Sequence, residues 1–261
     1  QAPREASEAA RAAAQDALAI DPQLGEAVAA RASVQAIYDW KWLDAERGFQ
    51  HALSLAPSYA TARQWYALNV LTPQGRFEEA TEELEKASEL DPASSSIAVG
   101  RGIIAFYARD LHKAAGSFEV VVRGHPSFAL GHYFLGQCRT ALGEPAKGIE
   151  AFEAAARLAD DSSETLAALG NAMALDGRHA DATDVLRRLD ERSSRGYVSP
   201  ALQAQVLVGL GRHDEALDRL EHAAELRAAD LIWLGVRPAY DPLRGELRFQ
   251  HLLSLLGLAA T

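Results

Sequence analysis

Small and apolar side chains recur along this chain with a helical step, and the segments that carry them recur in turn. The sets are Ala45, Phe49, Ala52; Ala80, Leu84, Ala87; and Ala114, Phe118, Val121. Weaker copies are Gly148, Phe152, Ala155; Ala182, Leu186, Leu189; and Ala216, Leu220, Ala223. Steps of four and three keep each set on one stripe of a 3.6-residue helix. Proline follows the first three sets at Pro57, Pro92 and Pro126 and predicts the helix ends, because it lacks an N–H and restricts the residue before it. The N-terminus carries one more set, Ala10, Ala14, Ala17 and Pro22, with no complete helix ahead of it.

Each stripe follows a short phrase, and the phrase sets the period. GRHADA at 177–182 returns as GRHDEA at 211–216, and GRFEEA stands at 75–80. Gly177 to Gly211 is 34 residues, and Gly75 to Gly177 is 102, three times 34; decayed copies, RDLHKA and GEPAKG, begin at 109 and 143. Upstream of each phrase lies a second helical segment with its own small residue at Gly102, Gly136, Gly170 and Ala204. Two antiparallel helices on a short turn pack closely only where a side chain is minimal. Ala80, Ala114, Ala182 and Ala216 are the expected counterparts on the partner helix, and the glycine of each phrase is expected to end the first helix in a left-handed conformation. A period of this length marks a repeat array.

The small residue, the turn Gly, the A-x3-F-x2-A stripe and the closing Pro together resemble the tetratricopeptide repeat. That resemblance implies an all-α, right-handed α-solenoid of helix–turn–helix repeats. The expected organisation is a single solenoid over 1–261: a partial repeat at 1–24, six repeats over 25–230 starting near 25, 60, 95, 129, 163 and 197, and a C-terminal cap over 231–261. The sequence departs from the family where first-helix aromatics give way to Ala98, His132, Leu166, Ala105, Arg139 and Met173. The closing Pro is lost from the fifth pair onward, and the intervals Pro22 to Pro57 and Pro57 to Pro92 are 35 residues.

A narrower resemblance lies in YDWKWLDAE, in YVSPALQAQVLVGLGRHDEAL at 197–217 and in IWLGVRPAYDPLRGELRFQHLLSLLGL at 232–258. These are similar to the C-terminal tetratricopeptide region of bacterial multidomain signalling proteins, where the array follows a winged-helix DNA-binding domain, a Ser/Thr kinase or a nucleotide cyclase. The usual D-P-R-F of that tail is replaced here by Glu246-Leu247-Arg248-Phe249. Phe249, Leu252, Leu253 and Leu256 are expected to form the apolar stripe of a capping helix, which repeat arrays need to cover their last interface.

Composition narrows the use of such an array. Of 261 residues 48% are hydrophobic and 7% aromatic, a profile of packed helices rich in Ala and Leu. The formal net charge of −10 opposes nucleic acid as a partner, since binding it needs clustered Lys and Arg. The one basic run, Arg187, Arg188, Arg192 and Arg195, is broken by Asp190 and Glu191. Cys138 is the single cysteine, so no intrachain disulfide forms. No apolar stretch is long enough to span a membrane, and the charged, amphipathic start, without an initiator Met, reads as the inside of a longer protein. A cytoplasmic location is expected, or a periplasmic one if a membrane helix precedes this portion.

No catalytic site, metal site or cofactor is expected. His125 and His132 are seven apart with no adjacent carboxylate, and His179 and His213 occupy equivalent positions in different repeats. Cys138 reads as a core thiol, the GLG at 209–211 as the repeat's own turn, Trp42 as packing in the place of Phe77 and Leu111, and Asp160-Asp161 as a cap for the following helix. One pattern does point to recognition. Gln137, Asn171 and Gln205 stand one repeat apart, each just after the small residue of its first helix. In tetratricopeptide folds first helices line the groove, so the resemblance implies a row of amides able to bond an extended peptide backbone. Tyr133, Thr140, Phe106 and Tyr107 are expected to add contacts beside them. The expected partner is a protein or peptide segment; the alternative is self-association as a homodimer.

Overall fold

The computed structural model describes residues 2–159 and 162–258. Asp160 and Asp161, expected to cap a helix, lie outside the described residues. Among those described, helices alternate with short turns and there is no strand. The helices are α1 Pro3–Ile20, α2 Gly25–Ile37, α3 Trp42–Leu55, α4 Ala60–Tyr66, α5 Phe77–Leu90, α6 Ser95–Tyr107 and α7 Leu111–Gly124. They continue with α8 Ala129–Ala141, α9 Pro145–Leu158, α10 Ser163–Leu175, α11 His179–Ser193, α12 Pro200–Gly209, α13 His213–Glu225 and α14 Leu247–Leu256. Between α13 and α14 lie two 3-10 helices, Ala229–Trp233 and Pro238–Leu243. This is the all-α architecture of consecutive helix pairs that the 34-residue period demands. First helices begin at Gly25, Ala60, Ser95, Ala129, Ser163 and Pro200.

The turns within pairs show how the period is enforced. Gly75, Gly143, Gly177 and Gly211 all have positive φ, between 72° and 80°. At three of them, Gly143, Gly177 and Gly211, no atom lies within 4 Å of where a Cβ would stand, so glycine is required there by backbone conformation and not by space. The next residue then bonds back five positions, as Arg178 N–H does to the carbonyl of Met173 and Arg212 N–H to that of Leu207.

Both 35-residue intervals have a structural cause. In the first, the turn is one residue longer: Lys41 N–H reaches back six positions to the carbonyl of Gln35, with Trp40 at φ 57°. In the second, the extra residue enters the helix itself. α4 runs into a π-helical turn at Ala67–Leu71, where Thr72 donates to the carbonyl of Ala67 through both its N–H and its Oγ1. Either device absorbs one residue without shifting the apolar stripe that follows.

Contacts divide the described residues into two compact units, one from residues 2–104, 226–236 and 253–258, the other from residues 105–159, 162–225 and 237–252. In the first, α1 packs on α2, α2 on α3, α3 on α4 and α4 on α5, and the 3-10 helix Ala229–Trp233 lies against α2. The stripe residues Ala45, Phe49, Ala52, Ala80, Leu84 and Ala87 are fully buried. A Cβ on Gly48 would stand 2.8 Å from that of Ala32, and one on Gly100 2.9 Å from a methyl of Leu84. In the second unit α7 packs on α8, α8 on α9, α9 on α10, α10 on α11 and α12, and α12 on α13.

The expected close approach is sharpest between α8 and α9. A Cβ on Gly136 would come within 2.7 Å of the Phe152 ring, and one on Gly148 within 3.1 Å of the Gly136 carbonyl and 2.3 Å of Thr140 Oγ1. The capping stripe of α14 is buried at Phe249, Leu252, Leu253 and Leu256.

Candidate functional site

Within the second unit α10 lies beside α8 and α12, and these three helices carry the predicted amides Gln137, Asn171 and Gln205. Their surroundings differ from a bare groove wall. Gln137 is 7% exposed, Asn171 4% and Gln205 1%. Gln137 Nε2 donates to the Tyr133 hydroxyl at 2.9 Å, and Asn171 Nδ2 to the backbone carbonyl of Gln205 at 2.8 Å. The second bond runs from one repeat to the next across 34 residues, and it clamps adjacent first helices in register. Gln205 is different again: neither end of its buried amide has a partner. A buried amide left unbonded costs roughly 1–3 kcal/mol, so this side chain is held in place by its neighbours.

The companions also sort by burial. Phe106 and Tyr107 are buried, and Tyr133 and Thr140 half-buried. Phe106 and Tyr107 belong to a chain of ring contacts, 5.1 Å from each other by centroids, with Phe106 6.2 Å from Phe134 and Phe134 5.4 Å from Phe118. Tyr133 continues it, 5.2 Å from Phe134 and 5.9 Å from Phe152. Thr140 Oγ1 donates to the Gly136 carbonyl at 2.8 Å, a side chain turned back on its own helix. Of the seven candidate residues, Tyr133 and Thr140 therefore keep the most surface open.

A second group shares this unit and lay outside the expected site. The 3-10 helix Pro238–Leu243 packs on α12, and the Tyr240 hydroxyl donates to the carbonyl of Ala201 at 2.8 Å. Asp241 receives two bonds from the guanidinium of Arg109, at 2.7 and 2.9 Å. Arg109 occupies the turn position that holds Gly143, Gly177 and Gly211 in other repeats, and it has φ 67°. The signal was present in the sequence as RDLHKA, the copy of the phrase that lacks its glycine. What it signified was not legible there, because Asp241 lies 132 residues away.

The first unit has comparable features at its long turn. Arg227 lies over the Trp40 ring at 4.0 Å from the centroid, and Trp42 Nε1 donates to the carbonyl of Leu256 at 2.7 Å. Nearby, Glu46 accepts from Tyr66 and from Arg76, which also binds Glu79. The Arg76 bond, with help from Tyr66, holds the Glu46 carboxyl below its ordinary range against desolvation. Burial and then Glu46 push the Tyr66 phenol up. An open pocket of about 430 Å³ beside them is lined by Leu53, Leu71, Tyr66, Glu79, Glu82 and Glu83, among others.

Among the described residues no three His, Cys, Asp or Glu side chains converge as metal ligands would. Cys138 is fully buried, and that burial pushes its thiol up to about 12, the state of a packed side chain. His132 Nε2 lies 2.9 Å from the Pro126 carbonyl. No helix among the described residues is long and apolar enough to cross a membrane.

The fold defines a class: an all-α protein of consecutive packed helix pairs. The family model of the tetratricopeptide repeat matches residues 73–127 and 99–163. No curated protein matches the sequence. Among solved structures, one chain of the APC/C hetero-tetramer Cut9–Hcn1 superposes with a TM-score of 0.65 at 16% identity, over 96% of this chain and 46% of that one. Human IFIT1, solved as a dimer with PPP-AAAA, gives 0.63 at 17%, over 96% and 65%. PilW, a widely conserved type IV pilus biogenesis factor, gives 0.58 at 19%, over 71% and 85%. The chain thus spans less than half of the Cut9–Hcn1 chain, and at these identities the likeness is one of fold.

Proposed function

We propose that this chain is a non-catalytic scaffold for protein–protein recognition that takes an extended peptide or partner segment on its first helices. It serves as the sensor or docking arm of a bacterial signalling or transcription-regulatory protein. The observation that supports this best is the row on α8, α10 and α12, where Asn171 ties one first helix to the next through the Gln205 carbonyl. A surface locked in register loses little freedom on binding, so more of the contact energy appears as affinity. Tyr133 and Thr140 offer the accessible part of that surface, and Gln137, Asn171, Gln205, Phe106 and Tyr107 form its deeper layer. IFIT1 holds PPP-AAAA, but a formal charge of −10 on this chain opposes the same use here.

Peptide-display selection against the full chain tests the reading, with light scattering across a concentration series on the same sample. Selected peptides should lose about tenfold or more in affinity for Tyr133→Ala, a change of roughly 1.4 kcal/mol. The reading fails if binders are indifferent to Tyr133→Ala and to Gln137→Ala. It also fails if a tight homodimer displaces them.

A further inference from the structure

We infer that the segment Pro238–Leu243 is a latched, intramolecular occupant of the α12 surface, and that a partner must present the same chemistry, an aromatic hydroxyl followed by a carboxylate, to replace it. The inference rests on the recognition reading above and gives that site its regulation and its partner class.

Three observations carry it. The first is where the chain departs from its own rule. The repeat turns at Gly75, Gly143, Gly177 and Gly211 use glycine for a left-handed backbone, whereas those at Trp40 and Arg109 adopt it without glycine, at φ 57° and 67°. A non-glycine residue is strained in that conformation and persists when its side chain is used. Both side chains are used: Arg109 grips Asp241 with two bonds, and Trp40 lies under Arg227, just beyond α13.

The second is what Asp241 brings with it. Tyr240, one residue earlier, places its hydroxyl on the Ala201 carbonyl of α12. The third is Gln205, one turn from Ala201 on the same stripe of α12, buried, with a donor and an acceptor both unused. An amide in that state is poised for an incoming backbone and has none while the present occupant stays. The Arg109–Asp241 pair is itself more than a third exposed on each side, which suits a clasp that opens under thermal motion.

Hydrogen exchange on the full chain, read at residues 238–243, tests the latch. Arg109→Gly relieves the turn and keeps the fold, while Asp241→Asn keeps the volume. Each should speed exchange in that segment by about fivefold, the factor for one exposed ion pair. A labelled peptide of sequence RPAYDPLR, matching 237–244, should bind Asp241→Asn, which keeps Arg109 to receive the peptide's carboxylate, tighter than wild type by the same factor, because affinity scales with the open fraction. Unchanged exchange in both single variants overturns the latch. Faster exchange with no peptide binding, or equal binding of a peptide carrying Phe and Asn for Tyr and Asp, overturns the partner chemistry. Neither result touches the display experiment, whose binders are selected without regard to this sequence.

Discussion

Replacing Gly136 by alanine isolates the contact on which the α8–α9 pair depends. Two effects oppose each other. Alanine is the better helix former by about 0.8–1.0 kcal/mol, so the change stabilises an unencumbered helix. Here the new methyl meets three ring atoms of Phe152 at 2.7–2.9 Å, and Phe152 is fully buried. Overpacking of that kind costs about 1–3 kcal/mol, so the net expectation is a loss of about 1 kcal/mol. The last full repeat shows how the clash is relieved, because its equivalent positions are Ala204 and Leu220. In a Phe152→Leu background, itself destabilised by about 1–2 kcal/mol, Gly136→Ala should turn stabilising by up to the helix-propensity gain. The coupling between the two sites is then about 1–2 kcal/mol. Urea unfolding followed by circular dichroism measures it, with the slope compared across the four proteins, because a repeat array need not unfold in one step. If Gly136→Ala stabilises both backgrounds equally, the helices have room at this crossing and the argument from close approach is wrong.

Three further outcomes follow from individual side chains. Arg76→Ala should lower stability at neutral pH by about 1–2 kcal/mol, since it removes a charge-assisted partner of a half-buried Glu46. Because Glu46 is held below its ordinary value in the fold, its contribution is present above the usual carboxylate range and is lost as pH falls through the lowered value. The difference from wild type should therefore shrink in acid urea titrations, and a constant difference would exclude this origin. Cys138, fully buried with its thiol pushed up to about 12, should react with a thiol reagent only on unfolding; rapid labelling of native protein at pH 8 would contradict its packing. Trp42→Phe removes the 2.7 Å bond to the Leu256 carbonyl and should cost about 1–2 kcal/mol. Exchange at 253–258 should rise with it, and unchanged protection there would remove that bond as an anchor.

The amide row shows where reading by residue type reached its limit. Spacing alone placed Gln137, Asn171 and Gln205 on equivalent sites of neighbouring first helices. Which way each amide bonds depends on what lies opposite. Asn171 finds the backbone of the next repeat, Gln137 finds Tyr133 one turn away, and Gln205 finds nothing. Phe106 and Tyr107, expected as contact surface, stand in a buried run of rings: Phe106 meets Phe134 of the next repeat, and Tyr107 packs on Phe106.

Local chemistry was enough to determine the repeat. A helical stripe, a small residue at the crossing, a glycine in the turn and a proline at the end are each decided within a few residues, and their recurrence every 34 positions specifies stacked pairs. Tertiary structure alone decided where the residues after the last full repeat pack, and what the non-glycine turns at Trp40 and Arg109 contact. Those depend on meetings such as Arg109 with Asp241 and Trp42 with Leu256, separated by 132 and 214 positions. No periodic signal encodes such contacts, since each occurs once and its second partner lies beyond the repeating stretch.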